Sequence, residues 1–141
     1  KETFVPLKDE LDYLRNYIEF EKIRLGDRLE LKLNLEDAAA QSFKIAPMLL
    51  IPFVENAFKH GISLRTESHI KISLELKDKT LYFDVYNSKH IRPDNDPEKS
   101  KSGIGLNNVK QRLQLLYPAR HELLIRENAK EFFVHLTIQL A

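Results

Sequence analysis

Apolar positions recur with helical spacing along the first part of the chain. Leu7, Leu11, Leu14, Ile18 and Leu25, with Tyr17 and Ile23 beside them, trace a stripe close to a heptad, and Gly26 is a natural stop. Such a stripe has two readings: a helix packed on its own domain, or the end of a coiled-coil or bundle helix. The pattern then becomes an alternation, and Leu29, Leu31, Leu33 and Leu35 read as a half-buried strand. A second helix is expected from about Pro47 to His60, with Pro47 near its first turn and Gly61 at its end. Met48, Leu49, Phe53 and Ala57 are its candidate sheet-facing positions. Pro52 fits poorly inside it: a missing N–H bends the helix there or marks its true start.

Ile70, Ile72, Leu74 and Leu76 alternate, as do Leu81, Phe83 and Val85, and the Lys77-Asp78-Lys79 turn between them makes an antiparallel hairpin. From Ser88 to Ser102 the chain is polar and broken by Pro93 and Pro97, a long loop of the kind that is functional or disordered. Helical spacing returns with Leu106, Val109, Leu113 and Leu116, and Pro118 ends it. Two strands follow, from Glu122 to Arg126 and from Phe132 to Leu140, joined by a turn at Asn128 to Lys130. Strands that follow one another mostly as hairpins predict an α+β sandwich, with helices on one face of a largely antiparallel sheet.

The 141 residues suit one domain with a short extra element at one end. With no cysteine, neither disulfides nor a thiolate zinc site hold it. Lys and Arg number 22 against 21 Asp and Glu, which argues against a nucleic-acid partner recruited by bulk charge. No apolar run approaches the ~20 residues of a membrane span. An opening Lys1-Glu2-Thr3 without methionine reads as a fragment of something longer.

Two segments carry candidate chemistry. Within Glu55-Asn56-Ala57-Phe58-Lys59-His60-Gly61, residues Asn56, Lys59 and His60 share one helix face. A carboxamide oxygen is a hard ligand suited to Mg²⁺, and an ammonium group suits phosphate. The plainer reading pairs Glu55 with Lys59 on the surface and leaves His60 at the negative helix end. The second segment is Ser102-Gly103-Ile104-Gly105-Leu106-Asn107-Asn108. Two of the chain's four glycines stand here, just before a helix, where bare backbone N–H groups favour an anion. Alone, this is equally a tight loop-to-helix turn.

Together the segments resemble a known family. Val54-Glu55-Asn56-Ala57-Phe58-Lys59-His60-Gly61 is similar to the N box of the GHKL ATPases, and Gly103-Ile104-Gly105-Leu106 to their second glycine box. The longer strings Ala46 to Asn56 and Gly103 to Leu113 resemble the LytS-type branch of sensor histidine kinases. Tyr17-Ile18-Glu19 and Arg24 resemble the end of that branch's dimerisation helix. The resemblance implies a remnant of that helix at 1–26 and a Bergerat-type α/β sandwich at 27–141. ATP would lie between the second helix and a long lid at Ser88 to Ser102. Asn56 would bind Mg²⁺, Lys59 and His60 would contact phosphate or sugar, and the amides of Gly103, Ile104, Gly105 and Leu106 would cradle the phosphates. The implied reaction moves the γ-phosphoryl of Mg-ATP to a histidine outside this chain. The implied partners are the kinase's own acceptor-histidine domain, a response regulator and a second copy in the full-length homodimer. The implied setting is the cytoplasmic side of a membrane-anchored sensor.

Three departures stand out. The family's first glycine box carries an aspartate that accepts the adenine amino group, but Asp84-Val85-Tyr86-Asn87-Ser88-Lys89 has no glycine and offers Asn87 in that place. An amide oxygen accepts the same bond less strongly than a carboxylate. Pro52 stands where many N boxes have a polar residue, which leaves Glu55 as the nearest carboxylate for activating the nucleophile, or as a structural residue. None of the five histidines (His60, His69, His90, His121 and His135) has the branch's acceptor context. The alternatives are a nucleotide-impaired pseudokinase of the same fold, and another GHKL ATPase.

Overall fold

The computed structural model describes residues 3–35, 42–63, 66–89 and 104–140. A short strand β1 (Val5–Pro6) leads into helix α1 (Leu7–Leu25). Asp9 and Glu10 in the first turn of α1, and Lys22 and Arg24 in its last, complement the helix dipole. Gly26 ends it at φ 64°, a left-handed conformation that costs glycine little. The Leu7–Leu11–Leu14–Ile18 stripe is buried in the domain's own core, so the first of its two readings describes its packing here.

Strand β2 (Leu29–Leu35) and the two-residue strand β3 (Lys44–Ile45) precede helix α2 (Ile51–His60). The helix begins later than Pro47: Pro52 falls in its first turn, where its missing N–H has no intrahelical partner to lose. Met48 therefore lies in the turn before α2, 46 % exposed, and is not one of the sheet-facing residues. Leu49, Phe53 and Ala57 are buried as the pattern requires.

Strands β4 (Ser68–Lys77) and β5 (Thr80–Ser88) form the expected hairpin, with Asp78 at φ 55° in its turn. Helix α3 (Ile104–Leu116) and strands β6 (His121–Glu127) and β7 (Glu131–Gln139) complete the chain. The main sheet has the order β2-β4-β5-β7-β6, and only β2 and β4 run parallel. That pair is joined by a crossover through α2, as parallel neighbours require. β1 pairs with β3 in a separate two-strand ladder that anchors the start of α1.

One face of the sheet (Ile70, Ile72, Leu74, Leu81, Phe83, Val85, Val134, Leu136, Ile138) shares a core with residues of all three helices. Its other face carries His69, Lys71, Ser73, Tyr82, Asp84, Tyr86, His135 and Thr137, none of them buried. The result is a two-layer α+β sandwich, with α2 packed over β4 and β5 and against α3.

Candidate functional site

The site gathers where the carboxyl end of α2 meets the end of β5. On α2 the core face is Ile51, Phe53, Val54, Ala57 and Phe58. Asn56 and His60 are half-buried and Lys59 is exposed, so the predicted polar face stands clear of the core. Glu55 is exposed on the same short helix.

Asn87 sits on the core face of β5, between Ile70 of β4 and Phe132 of β7. It is only 1 % exposed. Its Nδ2 donates to the Ser88 carbonyl at 2.9 Å, and its Oδ1 has no hydrogen-bond partner. A carbonyl accepts only from a donor, so the geometry itself decides which end of the amide is which. Among the described residues this is the one fully buried side-chain polar atom left unmatched. A buried acceptor without a protein donor is costly, and such an atom is met by water or by a ligand donor, or stores strain.

Gly61 brings α2 and Asn87 together. A Cβ built on it would lie 2.6 Å from the Ala57 carbonyl oxygen and 2.7 Å from Asn87 Cβ. Its φ of −96° suits any residue, so close approach, not backbone freedom, requires glycine here. Gly61 is also the helix stop expected from its place after His60, its N–H donating to the Ala57 carbonyl at 2.8 Å. Its role as a spacer over Asn87 had no sequence signal, because that contact joins an α2 end to a strand 26 residues later in register terms known only from the fold.

Ile104, Gly105 and Leu106 form the first turn of α3, whose N–H groups are those a helix leaves without partners. Gly103, His90 and the rest of the expected lid lie outside the described residues. Ser88 belongs to β5, its Oγ accepting from the His69 N–H at 3.0 Å, and the Lys89 N–H donates to the Lys130 carbonyl at 2.7 Å.

α1 contributes a polar cluster. Arg24 donates to Glu21 Oε1 through two nitrogens, at 2.8 and 2.6 Å. Burial, and then neighbouring Glu21, push the Tyr17 hydroxyl well above its ordinary range, and the Tyr17 ring meets Phe58 of α2 edge-on at 5.8 Å. On the opposite face of the sheet, Glu30, Glu67 and His69 stand close enough to suggest a metal. Each ring nitrogen of His69 faces its own carboxylate, at 3.1 Å from Glu30 and 3.5 Å from Glu67. His135 is paired with Asp84 across β5 and β7, and Nδ1 of His121 lies 2.8 Å from the Tyr117 carbonyl.

No protein-family model matches the chain. Among curated proteins it is 26 % identical to the sensor protein LytS of Enterococcus faecalis over 149 residues, covering 99 % of this chain and 25 % of that protein. It is 30 % identical to the sensor histidine kinase BtsS of Escherichia coli over 112 residues, covering 79 % of this chain and 19 % of that one. The chain thus spans about a quarter or less of the length of these relatives. Among solved structures, the catalytic domain of histidine kinase ThkA matches with a TM-score of 0.64 at 14 % identity, covering 99 % of this chain and 97 % of that one. Full-length ShkA in complex with AMPPNP matches with a TM-score of 0.66 at 15 % identity, over 100 % of this chain and 32 % of that one. ThkA has also been solved with the response regulator TrrA. Sequence likeness along nearly the whole chain and the shared fold agree, and both support a catalytic domain of the LytS-type sensor histidine kinases.

Proposed function

We propose that this domain binds Mg-ATP and presents its γ-phosphoryl to a histidine carried outside this chain. The observation that carries the reading is the unmatched Oδ1 of Asn87, buried beneath Gly61 at the end of β5. An adenine amino group supplies the donor that this acceptor lacks; a guanine offers a carbonyl at the same position and would repel it.

The remaining residues fit the rest of the nucleotide. Asn56 offers a carboxamide oxygen to Mg²⁺, a hard cation that takes few protein ligands. Bound there, the ion supplies charge neutralisation for the phosphates. Lys59 and His60 supply positive or donor groups at the same helix end, and the first turn of α3, with Gly103 before it, supplies backbone donors. Transfer breaks the bond between the γ-phosphorus and its bridging oxygen and forms a P–N bond to the incoming imidazole, with ADP leaving. It needs alignment more than covalent help. Glu55 is the carboxylate nearest this face in sequence and is the proposed group for accepting the imidazole proton.

Residues 1–26 are read as the tail of the dimerisation helix, here also packed on the catalytic domain 27–141. The full protein is then a membrane-anchored homodimer whose cytoplasmic part phosphorylates its own histidine and passes the phosphoryl group to a response regulator. The likeness to LytS, and ThkA's capture with a response regulator, support that reading.

Calorimetric titration with ATP and GTP, with and without Mg²⁺, tests it. The expected result is Mg²⁺-dependent binding of ATP, no binding of GTP, and loss of ATP binding in Asn87→Ala. Equal binding of both nucleotides, or an unaffected Asn87→Ala, overturns the assignment. One observation favours a second reading, a nucleotide-impaired pseudokinase: a neutral amide replaces the family's carboxylate at Asn87 and no glycine accompanies it. A melting temperature unmoved by Mg-ATP would select that reading.

A further inference from the structure

The turn that starts α2 is held from outside. α2 has no side-chain cap of its own: Leu50 is its N-cap residue, no cap hydrogen bond forms, and no acid stands in its first turn. Just before it, Met48 has φ 59°, a left-handed conformation uncommon for a residue with a side chain. Such a conformation persists where neighbouring structure holds it in place.

Two side chains do this. The Met48 N–H donates to Glu10 Oε2 of α1 at 3.1 Å. Arg112 of α3 donates to the Met48 carbonyl at 3.4 Å. Both backbone polar groups of one residue in a strained conformation are thus taken up by different helices, and α1, α2 and α3 meet at this turn. Arg112 stands on the helix whose first turn is Ile104 to Leu106; Asn56 is five residues into α2 from Ile51.

Glu10 is an unusual residue to find here. It is 6 % exposed, on the buried side of α1 with Leu7, Leu11 and Leu14. Burial pushes its carboxyl above its ordinary range, while the Met48 and Leu49 backbone N–H groups pull it back by bonding the ionised form. A buried carboxylate is a poor way to gain stability, and an apolar residue would pack there as well. What an apolar residue cannot do is accept the N–H groups ahead of α2.

We propose that Glu10 is a positioning residue for the nucleotide site, holding from α1 the turn that leads into α2 and so fixing the rotation at which Asn56 faces the ligand. The proposal rests on the Mg-ATP reading above. Because the turn before α2 is held by another helix, a displacement of α1 changes the seat of α2 directly.

The test compares Glu10→Ala, Glu10→Gln and Leu14→Val by Mg-ATP calorimetry, melting temperature and amide hydrogen exchange. Glu10→Ala is expected to expose the Met48 and Leu49 amides to exchange and to weaken Mg-ATP binding about fivefold, the worth of one hydrogen bond. Glu10→Gln, whose amide oxygen still accepts, is expected to restore most of both. Leu14→Val, a core change on the same helix, lowers the melting temperature and leaves affinity alone. The proposal is overturned if Glu10→Ala binds Mg-ATP like the wild type, or if Leu14→Val weakens binding as much at matched melting temperature. Should Glu10→Ala fail to fold, Arg112→Ala acts on the same turn from the surface and must weaken binding. If the wild-type domain takes up no Mg-ATP, the functional reading and the affinity arm fail together; the exchange arm still decides whether Glu10 holds the turn.

Discussion

Gly61 lies against Asn87 so closely that a methyl group on the glycine would stand 2.7 Å from the asparagine Cβ. Two atoms that close must move, and both belong to backbone-anchored positions, so the end of α2 or the end of β5 has to shift. Gly61→Ala is therefore expected to destabilise the domain by about 1–3 kcal/mol, the usual result of overpacking, and to weaken nucleotide binding. Denaturant unfolding and calorimetry on the same variant check this. A midpoint equal to the wild type's would show that the two elements part freely.

Phe53 of α2 and Phe83 of β5 meet edge-on, with ring centroids 6.4 Å apart, and both are essentially excluded from water. Their contact seats the site helix on the sheet. Phe53→Ala removes it and should cost about 3–5 kcal/mol, read from the unfolding midpoint. A loss below about 1 kcal/mol would mean that α2 is held chiefly elsewhere.

Glu10 makes stability depend on pH in a particular sense. Its folded pKa is raised above the ordinary value of 4.5, chiefly by burial, so the folded state holds its proton more tightly than the unfolded state. That contribution is fully present below 4.5 and is lost as pH rises through the higher folded value. The stability of wild type relative to Glu10→Gln should fall across that window and be flat above it. Paired unfolding curves at a series of pH values give the difference, and a relative stability that rises with pH contradicts the burial argument.

Glu55 and the histidines give a test of mechanism. Incubated with γ-labelled ATP, this chain should retain no label, because none of its histidines has the acceptor's sequence context. Supplied with a protein bearing the acceptor domain, Glu55→Gln is expected to slow transfer by about 10²-fold, the lower range for losing a general base, with ATP affinity unchanged. Label on this chain, or an undiminished rate, removes the corresponding assignment.

Much of this molecule can be read along the chain because its signals are local. The heptad from Leu7 to Ile18, the alternation through Ile70 to Val85, and the stop at Gly26 each depend on periodicity or on one residue's backbone preference, and each recurs in the fold. The polar face of Asn56, Lys59 and His60 follows from helical spacing alone. Met48 escapes such local signals. Its pattern assigned it to the helix, but Pro52 starts the helix at Ile51, and Glu10 and Arg112 hold Met48 in a left-handed turn. Those partners are distant in sequence, and no periodicity links them.

The sequence by itself thus determined the longer elements, the order of the motifs and the chemistry each side chain can offer, but neither the short strands β1 and β3 nor the true start of α2. The tertiary structure alone decided that Asn87 is buried with an unmatched oxygen, that Gly61 must be small to lie over it, and that Glu10 of α1 bonds the turn ahead of α2. The physical reason is that hydrogen-bond satisfaction and steric contact are properties of pairs. A pair separated by tens of residues exists only once the chain has closed on itself.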